Sequence, residues 1–329
     1  MKGWLIALFA IQISFKCLTI NAQNIWDDIG NGDDNDKIES PDNSWSERNS
    51  LARTTLFDRQ ERLQQRCEQM TRNEPTMTID DPKIFHNILV DDKHKLLYCY
   101  VPKVACTNWK RVLMMAAGKW KGNSPLEIPA NLVHASGSFV RLSNSSLAEI
   151  EDKLASYDKL IVVRHPFERL LSAYRNKFEA RYQSSAYFQS RFGRKIIKRY
   201  RLNATAESLA KGDDVIFAEF VDFIVNDKGS RNEHWESISE LCHPCLVNYN
   251  LVSKYETLVE DATEILDRID ASSITFPVRP QNSQPTGKML DKYYSKLTWA
   301  QLRDLAKLYR DDFYLFEYSL EQVLGFSVA

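Results

Sequence analysis

Glycine is scarce in this sequence, with 11 residues among 329, and it is missing where a common nucleotide-binding loop would need it. Residues 98–112, YCYVPKVACTNWKRV, have the outline of a strand, a turn and a helix but contain no glycine. A Walker loop requires glycines and a Lys-Ser or Lys-Thr pair at its end. Here Lys103 stands before the turn. The sequence therefore argues against a P-loop kinase that uses ATP or GTP.

Cysteine is also infrequent, which excludes a small domain held together by many disulfides. The six cysteines are Cys17, Cys67, Cys99, Cys106, Cys242 and Cys245. Because Cys17 lies in the N-terminal segment, five remain, and at least one thiol must be unpaired within the chain. The CHPC motif at 242–245 has the spacing of a redox or half-zinc site, but two further zinc ligands are not evident. We expect a local disulfide or two structural thiols there.

Long hydrophobic runs are absent apart from residues 3–15, and those 13 residues are short for a membrane span of about 20. They fit the core of a signal peptide cleaved after Ala22. A signal anchor is the alternative if Lys16 extends towards the membrane surface. We predict a signal peptide or signal anchor over residues 1–22, and either one directs the chain into the secretory pathway.

Charge is distributed unevenly along the chain. Residues 24–50 hold eight acidic and two basic side chains, whereas residues 51–329 carry a net charge of +3. We predict an acidic flexible stem over 23–75, ending in a helical stretch at 51–72, and a luminal domain over 76–329. Two sequons, at Asn144 and Asn203, are predicted glycosylation sites and agree with that compartment.

Apolar strand-like runs alternate with helical patterns in the predicted domain. This alternation is typical of an α/β fold built on a parallel sheet. The predicted strands lie at 96–101, within 159–163 and within 247–258, and the predicted helices cover 107–118, 143–157, 164–181, 217–227 and 298–319.

Two of these strand–helix junctions can bind anions. At the first, the backbone N–H groups of the turn and of the helix start near Thr107 have no intrahelical acceptor, and Lys103 adds a positive charge. A plain structural turn with a chance lysine is the alternative. At the second, Arg164 ends a strand and Ser172 lies two turns into the next helix, so both can reach one phosphate. Glu168 and Arg169 could instead form an exposed pair.

Two anion sites at two strand ends match a nucleotide that carries a 5′-phosphosulfate and a 3′-phosphate. The segments PKVACTNWKRV and VRHPFERLLSAYRNKF resemble the corresponding binding motifs of Golgi carbohydrate sulfotransferases, most of all the chondroitin and dermatan 4-O-sulfotransferases. The resemblance extends over residues 85–320. It implies a single P-loop-NTPase-like α/β domain with a central parallel sheet flanked by helices. It also implies 3′-phosphoadenosine-5′-phosphosulfate (PAPS) as sulfate donor, with no metal required.

The resemblance assigns site residues by position. Lys103 would lie nearest to the reacting sulfuryl group, and His165 occupies a position that is usually acidic in related enzymes. The implied 5′-phosphosulfate site comprises Pro102, Lys103, Val104, Ala105, Cys106, Thr107 and Asn108. The implied 3′-phosphate site comprises Arg164, His165, Pro166, Phe167, Glu168, Arg169, Leu170, Leu171 and Ser172.

Removal of a proton from a sugar hydroxyl requires a base, and the sequence offers few. His134, in NLVHASG between the two motifs, lies where related sugar sulfotransferases place a catalytic histidine, and we favour it. His234, in NEHW beside Glu233, is the next candidate, together with Glu233 itself.

The run RFGRKIIKRYR at 191–201 holds six basic residues in eleven. A solvated helix face or a nucleic-acid contact would also explain such a run. In a secretory protein with this resemblance, a glycosaminoglycan or another glycan is the expected partner, rather than nucleic acid. The candidate acceptor-binding residues are Arg194, Lys195, Lys198 and Arg199.

The resemblance implies sulfation of O4 of N-acetylgalactosamine in chondroitin or dermatan. The alternatives are glucuronate O3, N-acetylgalactosamine on glycoprotein glycans, or an inactive glycan-binding protein. The implied location is the Golgi membrane, as a single-pass type II protein with a luminal catalytic domain. A cleaved N-terminus would instead give a secreted enzyme.

Overall fold

One five-stranded sheet organises the computed structural model, which describes residues 41–71, 81–227, 231–278 and 287–321. The strands are β1 (Ile88–Asp91), β2 (Leu96–Cys99), β3 (Val140–Arg141), β4 (Asp158–Val163) and β5 (Leu251–Lys254). Their order across the sheet is β3-β1-β2-β4-β5. β2 and β4 are buried along most of their length, as expected for central strands covered on both faces.

The sheet is mixed, so the expectation of a parallel sheet holds only for part of it. β2 pairs in parallel with β4, and β4 in parallel with β5, whereas β1 is antiparallel to both β2 and β3. A short turn at 92–95 joins β1 to β2, and such a connection allows only an antiparallel pair. The three parallel strands nevertheless bring their carboxyl ends to one edge.

Helices flank this sheet, and turns and irregular segments connect them. Short 3₁₀ turns lie at Pro82–Phe85, Pro125–Glu127, Leu142–Asn144, Tyr255–Thr257 and Gly287–Met289, and Arg175–Glu179 and Gln189–Gly193 are π-helical. The predicted tail helix at 298–319 is two helices, Trp299–Leu308 and Arg310–Leu315. The α-helices are α1 (Pro41–Thr71), α2 (Cys106–Ala116), α3 (Ala130–His134), α4 (Leu147–Ser156), α5 (Pro166–Tyr174), α6 (Gln183–Phe188), α7 (Arg194–Tyr200), α8 (Ala206–Lys211), α9 (Phe217–Asn226), α10 (Ile238–Cys242), α11 (Pro244–Val247), α12 (Leu258–Arg268), α13 (Leu290–Tyr294), α14 (Trp299–Leu308) and α15 (Arg310–Leu315).

Helix α1 corrects the predicted extent of the stem. Leu56 and Leu63 of this helix are buried in the core, and Arg59 forms an ion pair of 2.7 Å with the buried Asp261. The C-terminal part of the predicted 23–75 stem is therefore integral to the folded unit rather than a flexible spacer. The predicted signal segment at 1–22 and the most acidic part of the stem lie outside the described residues. Among the described residues, no helix has the length and apolarity needed to cross a bilayer.

The expected local disulfide in CHPC is wrong. Cys242 is bonded to Cys99 on β2, and Cys245 is bonded to Cys67 on α1. Each bond links segments more than 140 residues apart, so the motif is fastened to the sheet through β2 and to the helix α1. Cys106 is the free thiol among the described cysteines, as the odd count predicts.

Two large hydrophobic clusters form most of the core, one around the sheet and one among the helices. One surrounds β2 and β4 and includes the fully buried Trp109 of α2. The other joins α5, α9, α13 and α14, with Phe167 stacked on Tyr294 at a ring separation of 4.9 Å. α2 and α5 start at the ends of the adjacent parallel strands β2 and β4. Their N-termini consequently lie at the same edge of the sheet, where ligands of open α/β folds bind.

Candidate active site

A cavity of about 980 Å³ opens at this edge of the sheet. It brings together residues that the sequence places far apart, from both predicted anion motifs and from both histidine segments. The sequence-predicted residues that line it are Pro102, Lys103, Ala105, Cys106, Thr107, Asn108, His134, Arg164, Ser172 and His234. Val104 of the first motif points instead into the core, where it is fully buried.

The loop before α2 takes left-handed backbone conformations without glycine. Lys103 has φ 75° and Ala105 has φ 67°. A residue with a Cβ in this region costs roughly 1–2 kcal/mol. Strain of this kind is found where the surrounding structure fixes a functional geometry. The turn that a Walker loop makes with glycines is thus made here with two strained residues.

The start of α2 is available to an anion. Ala105 is its N-cap and supplies no side-chain hydrogen bond to the first turn. Lys103 is largely enclosed, and burial, together with the nearby Lys177 cation, lowers the pKa of Lys103 to about 8. Uncapped N–H groups and an ammonium at one helix start form a site for a phosphate or sulfate oxygen.

Arg164 is held in place from three sides. Its guanidinium donates to the Lys103 carbonyl at 3.2 Å and to the Glu168 carboxylate at 3.0 Å, and it lies 4.1 Å from the centre of the Tyr255 ring. Ser172, two turns along α5, lines the same cavity. The Arg164 side chain is therefore oriented before any ligand binds. The Glu168 carboxylate pairs with Arg164 and does not line the cavity.

Most of the second motif lies away from the cavity. Pro166, Phe167, Leu170 and Leu171 are buried, with the three larger side chains in the hydrophobic core. His165 caps α5 by accepting from the Phe167 N–H, and it contacts the Ser319 carbonyl at 3.0 Å. Of the nine residues assigned to the 3′-phosphate site, Arg164 and Ser172 are the two whose side chains line the cavity.

Arg169 is not half of an exposed pair with Glu168. It is 2% exposed, and its guanidinium donates to three backbone carbonyls, those of Pro102, Glu233 and Glu236. One side chain thus fastens the anion-binding loop to the segment that carries Glu233 and His234. Burial lowers the pKa of Arg169, yet a guanidinium has its ordinary pKa so high that it stays charged.

We expect Arg169→Lys to destabilise the fold, because one ammonium cannot replace a fork that reaches three carbonyls. Two buried acceptors would lose a partner, at about 1–3 kcal/mol each. Thermal unfolding with and without bound nucleotide measures the loss, and Arg303→Lys, at an exposed position, is the matched control. A melting temperature equal to that of the control would contradict this role.

His134 lies beside the first anion motif. Its Nε2 is 2.9 Å from the Thr107 hydroxyl. Burial, with the cations Lys110, Lys177 and Arg111, lowers the pKa of His134 to about 4. The imidazole is therefore neutral at physiological pH and has a nitrogen lone pair with which to accept a proton.

His234 also lines the cavity, and a neighbouring side chain orients its ring. Its Nδ1 is 2.8 Å from the Asn232 side-chain oxygen, which fixes Nδ1 as the donor and Nε2 as the acceptor. Burial, with Lys177 and Lys103, lowers the pKa of His234 to about 2. Glu233 also lines the cavity, and it accepts from the Tyr100 hydroxyl at 3.1 Å.

The basic run lies outside the cavity. Arg194, Lys195, Lys198 and Arg199 are exposed on α7, and Lys195 and Arg199 both pair with Asp227, at 3.4 and 3.0 Å. The sequons also lie on the surface, where both Asn144 and Asn203 are exposed. Glycosylation of either asparagine remains a prediction.

Sequence reasoning missed two lysines that line the cavity, Lys110 on α2 and Lys177 on the π-helical turn after α5. Helical spacing from Ser172 selects position 176, and Asn176 does line the cavity, but this spacing does not select position 177. The π turn inserts an extra residue. No local sequence signal marked that change.

Comparison with known proteins adds to this geometry. Residues 86–319 match a family model described as the sulfotransferase family. Carbohydrate sulfotransferase 11 of Mus musculus is 44% identical over 260 residues, which cover 78% of this chain and 72% of that protein. Carbohydrate sulfotransferase 8 of Homo sapiens is 38% identical over 72% of this chain and 57% of its own length. Carbohydrate sulfotransferase 14 of Danio rerio is 40% identical, with coverages of 72% and 63%. No solved structure matches the chain.

Proposed function

The chain belongs to the sulfotransferase family and is a carbohydrate sulfotransferase, and we propose that it moves the sulfuryl group of PAPS to O4 of N-acetylgalactosamine in chondroitin or dermatan. One observation carries the proposal. The uncapped start of α2 and the two strand-end cations Lys103 and Arg164 converge on one cavity with Ser172 and a neutral histidine. Because all of these groups are present and line one cavity, the alternative of an inactive glycan-binding protein is disfavoured.

The residues present fit a donor with two separate anionic groups. Lys103, the Thr107 hydroxyl and the N–H groups of α2 would hold the 5′-phosphosulfate, and Arg164 with Ser172 would hold the 3′-phosphate. When bound, PAPS supplies the sulfuryl group and leaves as adenosine 3′,5′-bisphosphate. The described residues contain no cluster of His, Cys, Asp or Glu able to hold a metal ion.

Different residues of the chain would stabilise charge and accept the proton during sulfuryl transfer. The sugar oxygen forms the new bond to sulfur, the bond from sulfur to the 5′-phosphate oxygen breaks, and the hydroxyl proton passes to a base. Lys103 and the helix start stabilise charge on the sulfuryl and leaving oxygens. We place His134 as the base because its Nε2 already lies at the first anion motif. His234 is the second candidate because Asn232 holds its Nε2 as an acceptor.

The acceptor assignment is tested by transfer of radiolabelled sulfate from PAPS. Desulfated chondroitin, desulfated dermatan, heparosan and a neutral glycan ending in N-acetylgalactosamine are offered in parallel, and the products are digested to disaccharides. We expect label on O4 of N-acetylgalactosamine in chondroitin or dermatan. Label on glucuronate, or on the neutral glycan alone, would support one of the alternative acceptors, and absence of transfer to all four would contradict the proposed function.

We propose that the exposed cations of α7 contact the polymer beyond the cavity. Reversal of three charges, as Lys195→Glu, Lys198→Glu and Arg199→Glu, should raise the acceptor KM and weaken its salt dependence, because fewer acceptor counterions are released. Initial rates at two salt concentrations measure both effects. Unchanged kinetics would reject the contact.

The proposed cellular location follows from the family and from the N-terminal sequence. We place the enzyme in the Golgi membrane as a single-pass type II protein with a luminal catalytic domain. The two disulfides are consistent with an oxidising compartment. Fractionation of cells that express the full chain, followed by protease protection, tests the topology.

A further inference from the structure

The cavity contains more positive charge than the proposed donor site uses. Its lining includes six cationic side chains and one carboxylate, that of Glu233: the cations are Lys103, Lys110, Arg111, Arg141, Arg164 and Lys177. The three arginines are engaged by protein acceptors. Arg164 is bound to Glu168, Arg111 to the Ile128 carbonyl and Arg141 to the His86 carbonyl.

Lys110 and Lys177 are different, because neither pairs with a carboxylate of the described residues. Lys110 is 5% exposed, with Nζ 3.8 Å from the centre of the Tyr100 ring. Lys177 is 8% exposed, with Nζ 4.3 Å from the centre of the Phe188 ring. An aromatic face offsets only part of the cost of burying an ammonium. Two such groups on one cavity wall indicate that a bound anion supplies the missing charge.

Both lysines are linked to Glu233 and His234 through aromatic rings. The Tyr100 ring that carries Lys110 also donates its hydroxyl to Glu233. The Phe188 ring that carries Lys177 packs edge-on against His234, with the ring centres 5.1 Å apart. The two cations therefore flank the segment that carries Glu233 and His234.

The proposed acceptor has an anionic group suited to this position. In chondroitin and dermatan each N-acetylgalactosamine lies between two uronates, whereas a neutral glycoprotein glycan has no carboxylate there. We propose that Lys110 and Lys177 form a carboxylate-binding subsite for the uronates that flank the accepting sugar. This inference rests on the proposed function. The subsite would explain why the enzyme selects a uronate-containing polymer over a neutral glycan.

The test compares desulfated chondroitin with the same polymer after chemical reduction of its carboxyl groups. The wild-type enzyme should show a KM about tenfold higher for the reduced acceptor, since a charged hydrogen bond is lost. In Lys177→Met and Lys110→Met the KM for chondroitin should rise, and the difference between the two acceptors should shrink to about twofold or less. Lys307→Met, at an exposed site on α14, is the control that keeps the full difference.

Several results would overturn the subsite. The first is an equal KM of the wild-type enzyme for chondroitin and for the carboxyl-reduced polymer. The second is a rise in KM by the same factor for both acceptors in the lysine variants. A third is weakening of adenosine 3′,5′-bisphosphate binding by tenfold or more in calorimetry, which would assign the lysines to the donor. The wild-type comparison does not depend on folding of the variants, and Lys→Arg at each position should recover the discrimination. Failure of the proposed function is distinct, because the wild-type enzyme would then transfer sulfate to neither polymer.

Discussion

Replacement of Lys103 by methionine is expected to lower kcat for sulfate transfer by about 10²- to 10³-fold. Methionine keeps the length and much of the volume of the side chain but removes its charge. Lys103 lines the cavity at the turn before α2, and the strained backbone at φ 75° fixes its position. An ammonium held in place before reaction stabilises charge that develops on the leaving and sulfuryl oxygens, and it does so without reorganisation.

The low pKa of Lys103 adds a second expected result. Because burial lowers that pKa to about 8, the free enzyme loses the ammonium as the pH rises through 8. Binding of adenosine 3′,5′-bisphosphate should weaken above this pH and should be accompanied by proton uptake, since the bound anion favours the charged lysine. Isothermal titration calorimetry in buffers of different ionisation enthalpy measures both quantities.

The control for Lys103 is Lys211→Met, which removes an exposed lysine on α8. This control should keep the wild-type kcat and pH dependence. If Lys103→Met retained wild-type turnover, or if nucleotide binding to it still weakened above pH 8, the assigned role of Lys103 would be wrong.

Replacement of His134 by alanine is expected to reduce kcat by about 10²- to 10⁴-fold while nucleotide binding persists. A general base acts on the hydroxyl proton in the transition state, whereas the donor is held by other residues. His134 contacts the first anion motif through Thr107, and its low pKa of about 4 leaves it neutral over the whole physiological range. The measurements are single-turnover transfer to chondroitin and calorimetric binding of adenosine 3′,5′-bisphosphate.

His234→Ala, measured in parallel, decides between the two histidines. Burial, Lys177 and Lys103 lower the pKa of His234 to about 2, so both imidazoles are neutral, and protonation alone does not distinguish them. Retained turnover in His134→Ala with loss in His234→Ala would move the base to the Asn232-bound histidine. Loss of nucleotide binding in His134→Ala would show that the residue supports the loop instead.

Much of the donor side of the site could be read from local sequence. A buried strand followed by a small-residue turn and a helix determines where N–H groups point, whichever residues lie far away in the chain. Lys103, Thr107, Arg164 and Ser172 were found in this way, and all four line the cavity. The assignment of each motif as a block stays a prediction, and on α5 the side chains of Phe167, Leu170 and Leu171 pack in the core.

The remaining features depend on contacts between distant parts of the chain. The bonding of Cys242 and Cys245 to distant partners and the anchoring of the loop by Arg169 join residues 67 to 178 positions apart. The approach of Lys110 and Lys177 to Glu233 belongs to the same group, since it requires α2, the π turn after α5 and the 233–234 segment to meet. Local pattern fixes the conformation and polarity of each segment. Which segments pack together is set by burial over the whole chain. The sequence by itself therefore determined where two anions can bind in this protein. Only the tertiary structure decided that Lys110, Lys177 and Glu233 line the same cavity.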